Sequence, residues 1–172
     1  MFLICSDSIG SEKFSLDEEI DRLFFYDQIA TRLKGILWNQ WIGNPESFVF
    51  GEIQRINRAQ EILQSGAILE SYQFFQLGTI FQHGSEPSHF KKAQELYSIS
   101  LRMGYSRAIS YIGFAQDRYL VSLFMPQKFG TQYFCMNYFE CNLYPFNLGT
   151  SNEERAKYEI LNIEDRKNGW KY

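Results

Sequence analysis

From Ser15 to Pro126 the apolar residues recur at three- and four-residue intervals, and the pattern is cut four times before Pro126 ends it. The cuts fall at the connection from Trp38 to Pro45, at Ser65-Gly66, at His83-Gly84 and at Gly104. Such punctuation predicts five helices. The first opens on the capping box Ser15-Leu16-Asp17-Glu18, whose acidic turn suits the helix dipole, and carries Ile20, Leu23, Phe24, Ala30 and Leu33 to about Leu37. Asn44-Pro45-Glu46 opens the second, with Pro near the first helical position and Val49, Ile53, Ile56 and Leu63 on its apolar face. The third is predicted over Ile68 to Gln82, the fourth from Glu86-Pro87-Ser88 to Gly104, and the fifth from a Ser106 cap to Phe124. No second copy recurs at a fixed period, which argues against a solenoid.

Beyond Pro126 the texture changes. Phe129 to Phe146 holds Thr131, Tyr133, Phe134, Tyr138, Phe139, Leu143 and Tyr144 with turn-forming Asn137 and Asn142, a pattern of two or three strands. Thr150-Ser151-Asn152-Glu153 is a second capping box, opening a short helix to about Leu161, and the last ten residues are polar and expected at the periphery. The expected fold is mainly α, with five to six helices and a small antiparallel β hairpin near the C-terminus, α+β by label. The whole of 1–172 reads as a single domain: an N-terminal segment 1–14, a helical core 15–125, a turn and β segment 126–147, and a C-terminal helix and tail 150–172.

Composition matters at two points. Sixteen Phe, eleven Tyr and three Trp make 17% of the chain aromatic, so the core must supply partners for tyrosine hydroxyls and indole N–H groups. The formal net charge of −3, with scattered Lys and Arg, speaks against a nucleic-acid footprint. The two histidines, His83 and His89, and the three cysteines, Cys5, Cys135 and Cys141, match no metal-ligand spacing, so neither a metal nor a cofactor is implied. Cys135 and Cys141 can face each other across a short hairpin, although cytosolic thiols stay reduced. The apolar start Met1-Phe2-Leu3-Ile4-Cys5 is too short for a signal core, and no run approaches a membrane span. The expected location is the cytoplasm, without a membrane partner.

Familiar catalytic spacings (Walker-type loop, GxGxxG, GxSxG, HExxH) do not occur. What stands out instead is a set of polar residues on apolar faces or at junctions, each with a structural and a chemical reading. Asp27 lies on the apolar stripe of the first helix, beside Gln28: either it pairs with an arginine, or it is a desolvated carboxylate able to act as acid or base. His83 ends the third helix, as a packing or dipole-compensating group or as a general base. Asp117 and Arg118 sit together in the fifth helix, pointing about 100° apart; they form a buried network or an anion-binding arginine with its supporting carboxylate. In Gln127-Lys128-Phe129-Gly130-Thr131-Gln132 two glutamines flank a Gly-Thr step, in excess of what a plain turn needs.

In this order, Asp27-Gln28, Gln82-His83, Asp117-Arg118, the Gln127 to Gln132 turn, and Arg155 before Leu161 resemble the motifs of an uncharacterised bacterial domain family. The resemblance spans about Phe25 to Asp165, with the Gln-x-Phe-Gly-Thr-Gln turn its most specific part. Where that family has a Gly-Trp-Pro step this chain reads Gly66-Ala67-Ile68, and the arginine expected soon after Asp-Gln stands at Arg32. The resemblance implies a shared site without naming its chemistry.

Two functions follow as expectations. In the first, the chain is a cofactor-independent enzyme or small-molecule-binding domain. His83, Asp117 and Asp27 would then be catalytic, and Gln28, Arg118, Gln127, Gly130, Thr131, Gln132 and Arg155 would bind the substrate. In the second, the same set is a structural network in a protein-interaction module, and Trp38, Trp41, Tyr138 and Phe139 form the binding surface.

Overall fold

The computed structural model describes residues 14–40, 45–137 and 140–168. Within them lie α1 (Leu16–Gln40), α2 (Pro45–Gln64), α3 (Ser71–Gln82), α4 (Pro87–Arg102), α5 (Ala108–Ser122), β1 (Tyr133–Asn137), β2 (Glu140–Leu143), α6 (Asn152–Ala156) and α7 (Ile163–Asn168). The molecule is mainly helical with a small two-stranded antiparallel sheet near the C-terminus, as the sequence pattern predicts.

Helix α3 is the axis of the fold. It packs on α1, α2 and α4, and α5 packs on α4 and reaches α3 through Tyr111 and Arg118. Every residue from Phe75 to Gln82 is buried, the polar Gln76, Thr79 and Gln82 among them. Phe75 is its centre: the rings of Tyr97, Tyr105 and Tyr111 lie 5.5, 4.9 and 4.8 Å from it. The hydroxyl of fully buried Tyr97 donates to Thr79 Oγ1 at 3.1 Å, and Thr79 donates on to the Phe75 carbonyl at 3.0 Å. The aromatic core thus meets the partner requirement that composition imposes.

Between α1 and α3 the seam is polar. Gln73 Nε2 donates to Asp17 Oδ1 (2.6 Å), Gln76 Nε2 donates to Asp21 Oδ1 (2.7 Å), and His83 Nδ1 meets Asp27 Oδ2 (2.6 Å). These pairs are separated by 56, 55 and 56 residues, so the two helices run in the same direction in a fixed register.

Several boundaries differ from expectation, each for a local reason. Helix α3 starts at Ser71 rather than Ile68, because Gln73 Oε1 reaches back to the Glu70 N–H at 2.8 Å in a capping box. Helix α5 starts at Ala108 after a lead-in of i→i+3 bonds, with no side-chain cap from Ser106. Helix α6 is capped by Ser151, whose hydroxyl accepts from the Glu154 N–H, and it stops at Ala156 when Glu159 turns to φ 53°. In the described part of the C-terminal stretch Glu164, Asp165 and Lys167 are exposed, but Arg166 docks α7 on the turn that follows α5. Cys135 and Cys141 stand opposite each other in register and are joined by a disulfide, so the expectation of reduced thiols is not what the structure shows. Among the described residues no helix is long and apolar enough to cross a membrane.

Candidate functional site

The polar residues singled out in the sequence sort into two connected groups. The first wraps the turn from Gln127 to Gln132. Asp117, fully buried on α5, accepts from the Lys128 N–H (2.7 Å), the Phe129 N–H (2.9 Å), and both the N–H and the hydroxyl of Thr131 (2.9 Å each). Two arginines take the carbonyls. Arg155 Nε donates to Phe129 O (3.0 Å) and its Nη1 to Thr150 O, while Arg166 donates to Gly130 O (2.5 Å) and Thr131 O (3.0 Å). Gln127 closes the base of the turn: its Oε1 accepts from the Gln132 N–H, and its Nε2 donates to the carbonyls of Gln132 and Tyr144.

Only a glycine suits position 130. Its φ is +75°, and an added Cβ would stand 2.6 Å from Ile163 Cδ1 of α7. Burial pushes the Asp117 carboxyl above its usual range, and the hydrogen bonds from Phe129, Thr131 and Lys128 pull the other way. This carboxylate, Gln127, Gly130, Thr131 and Arg155 therefore spend their polar groups on the shape of the turn.

The second group lies where α1, α2, α3 and α5 meet. His83 is the C-cap of α3, at φ −90° and ψ 0°, a sparsely populated bridge conformation. Its Nδ1 is 2.6 Å from Oδ2 of Asp27, and Oδ1 of that buried carboxylate accepts from Arg55 Nε at 3.3 Å. Which of the two groups carries the hydrogen in this contact depends on the His83 tautomer. Arg118 completes the group: its Nη1 donates to the backbone carbonyl of Gln82 at 2.5 Å and its Nε to Gln132 Oε1 at 3.1 Å. Burial pulls the Arg118 guanidinium below its usual value, with Tyr97 and Asp27 opposing that shift through space.

Asp117 and Arg118 diverge as helix geometry demands, one into the turn and the other towards the end of α3. Gln132 joins the two groups, since the turn holds its backbone and its side chain holds Arg118. Gln28 neighbours the dyad in sequence and has a buried Nε2 without a partner among the described residues.

Sequence reasoning missed Arg55 and Arg166. The first lies on the inner face of α2, one residue before buried Ile56, where an amphipathic pattern hides a single inward arginine. The second sits in a polar tail with no pattern to mark it. Trp41, Tyr138 and Phe139, and the side chain of Trp38, fall outside the described residues. An apolar hollow of about 420 Å³ opens between the end of α5 and the segment after β2, lined by Val121, Phe124, Met125, Pro126, Tyr144 and Pro145; no residue of the dyad lines it. Among the described residues no cluster of three or more His, Cys, Asp or Glu side chains is placed to hold a metal. No protein-family model, curated protein or solved structure matches the chain.

Proposed function

We propose that the chain is a small-molecule-binding domain equipped for acid–base chemistry, with His83 as the proton-transfer group, Asp27 as its positioning residue and Arg118 as the ligand anchor. One observation carries this reading: the 2.6 Å contact between His83 Nδ1 and a carboxylate sealed in the helix seam, which leaves the opposite ring nitrogen unengaged among the described residues. A buried aspartate that fixes the tautomer of a partly exposed histidine is an arrangement suited to proton transfer. Proton transfer of this kind needs no cofactor. The order of polar motifs that resembles the bacterial domain family adds support, since Asp27, His83, Arg118 and Gln132 from four separate motifs lie along one connected network.

The test is a thermal-shift screen against a metabolite library, run on wild type and on His83→Gln. A ligand at 100 times its Kd stabilises by about 2.7 kcal/mol. A hit that vanishes in a variant with unchanged melting temperature supports the site. Hits that survive His83→Gln, or a variant that fails to fold, speak for a structural dyad.

A second reading, the non-catalytic interaction module, has its own observation. Phe124 is 99% exposed and holds φ 58° at the end of α5, where the bonds from Phe124 N–H to Val121 O and Met125 N–H to Leu120 O form a Schellman cap. Glycine is the usual residue there. An aromatic ring at a strained, solvent-facing position beside an apolar hollow is an anchor suited to a protein partner.

A further inference from the structure

Resting on the first reading, the chemistry of the ligand can be narrowed from the charge balance at Arg118. Its hydrogen bonds go to neutral acceptors, the Gln132 amide oxygen and the Gln82 carbonyl. Arg55, Arg58 and Lys128 each touch a carboxylate, but among the described residues Arg118 has none within ion-pair distance. Asp27, which acts on Arg118 through space, has one oxygen engaged by His83 and the other by Arg55. A partly buried cation without a contacting counter-ion is costly unless something else compensates it.

Unused hydrogen-bonding capacity lies on Arg118 and His83 and on one chain neighbour each of Asp27 and His83. Neither Arg118 Nη2 nor His83 Nε2 has a partner among the described residues, and neither is sealed from solvent. Among the described residues, two of the buried side-chain atoms that lack partners are Gln28 Nε2, on the residue after Asp27, and Gln82 Oε1, on the residue before His83.

We propose that this site takes an oxyanion, the carboxylate or phosphate group of a small metabolite. Arg118 Nη2 donates to one of its oxygens, and His83, with a hydrogen on both ring nitrogens, donates from Nε2 to another while Asp27 holds Nδ1. Gln132 and the Gln82 carbonyl hold the guanidinium in position before the anion arrives, so little ordering is left for binding to accomplish.

The experiment is an NMR titration of the wild-type chain that follows the His83 ring nitrogens and the Arg118 Nε–H resonance. Inorganic phosphate is one arm and succinate the other, with chloride holding ionic strength constant. Saturable shifts at both residues with either anion are expected, and the arm that saturates at lower concentration identifies phosphate or carboxylate as the source. Arg118→Gln should weaken binding by about tenfold or more, and Arg118→Lys by less, because a charge-assisted contact is lost in one and only its fork geometry in the other. Shifts in both arms no larger than the chloride control overturn the oxyanion assignment. So does saturation that persists unchanged in Arg118→Gln. The wild-type titration decides the matter even if that variant fails to fold. A neutral ligand that binds through His83 in the metabolite screen, with both anions inert, would sink this inference while leaving the site reading intact.

Discussion

Asp117→Asn is the substitution that most directly separates shape from chemistry in this molecule. Oδ1 accepts from the N–H groups of Lys128 and Phe129, and Oδ2 from the N–H and hydroxyl of Thr131. An asparagine keeps one oxygen and turns an NH2 towards the other pair of donors. The Thr131 hydroxyl can turn its second lone pair to that NH2, since its oxygen accepts only once, from Gln132 Nε2 at 2.8 Å, but the Thr131 N–H cannot adapt. One buried N–H is left facing a donor, and the remaining bonds lose their charge assistance, a cost of about 2–4 kcal/mol. For a chain of this length that corresponds to a melting temperature lower by roughly 4–16 °C. Calorimetry measures the shift, and the amide resonances of Lys128, Phe129 and Thr131 should move together in the same sample. A variant that melts within about 2 °C of wild type but loses its ligand would refute the reasoning, because the carboxylate would then act on the ligand rather than on the turn.

Phe124→Gly should stabilise the fold by about 0.5–1 kcal/mol, since glycine takes the left-handed cap conformation freely and offsets its own entropy cost. A lower denaturation midpoint in urea would contradict this, and loss of a protein partner with retained stability would favour the interaction-module reading. Gly78→Ala should destabilise despite the helix propensity of alanine, because its Cβ would sit 3.0 Å from the ring of Tyr97, which the Thr79 bond holds in place; the expected cost is about 1–3 kcal/mol by chemical denaturation. Glu19 is held below the usual glutamate range by the hydrogen bonds from Arg58, at 2.5 and 3.0 Å. Its contribution to stability is therefore present above the unfolded value near 4.5 and is lost as pH falls through the lower folded value. Glu19→Gln should flatten the acid side of a melting-temperature profile; an unchanged profile would mean that the pair contributes nothing.

Much of the helical plan is legible because its stops are local. Gly104 takes φ 101° and Gly66 φ 75°, each at a cut visible in the sequence, and Pro87 stands at the first position of α4. What no local rule reveals is how residues far apart return to one another. Asp27 and His83 are both nominated by awkward placement, yet the bond between them spans 56 residues and depends on the register of α1 against α3. That register is set by the amide–carboxylate pairs Gln73–Asp17 and Gln76–Asp21, which look like ordinary surface polarity in a linear reading. Arg166 is the extreme case. It is a charged residue in a polar tail, and only the docking of α7 reveals that it completes the carbonyl side of the turn.

The convergence of the nominated residues is real but divided in purpose, and the division follows from how backbone polar groups must be satisfied. A turn with a buried Phe129 at its centre cannot leave its N–H and C=O groups unpaired. Asp117 answers the donors, and Arg155 and Arg166 answer the acceptors. Once the turn is closed, Gln132 emerges from it at a fixed angle, and its amide oxygen holds Arg118 over the end of α3. Residues that never touch a ligand can thus control where the anchoring guanidinium stands. Loss of affinity after a change in the turn is therefore not by itself proof of contact. Under the proposed reading, direct contact falls to the groups with bonding capacity left over among the described residues, His83 Nε2 and Arg118 Nη2.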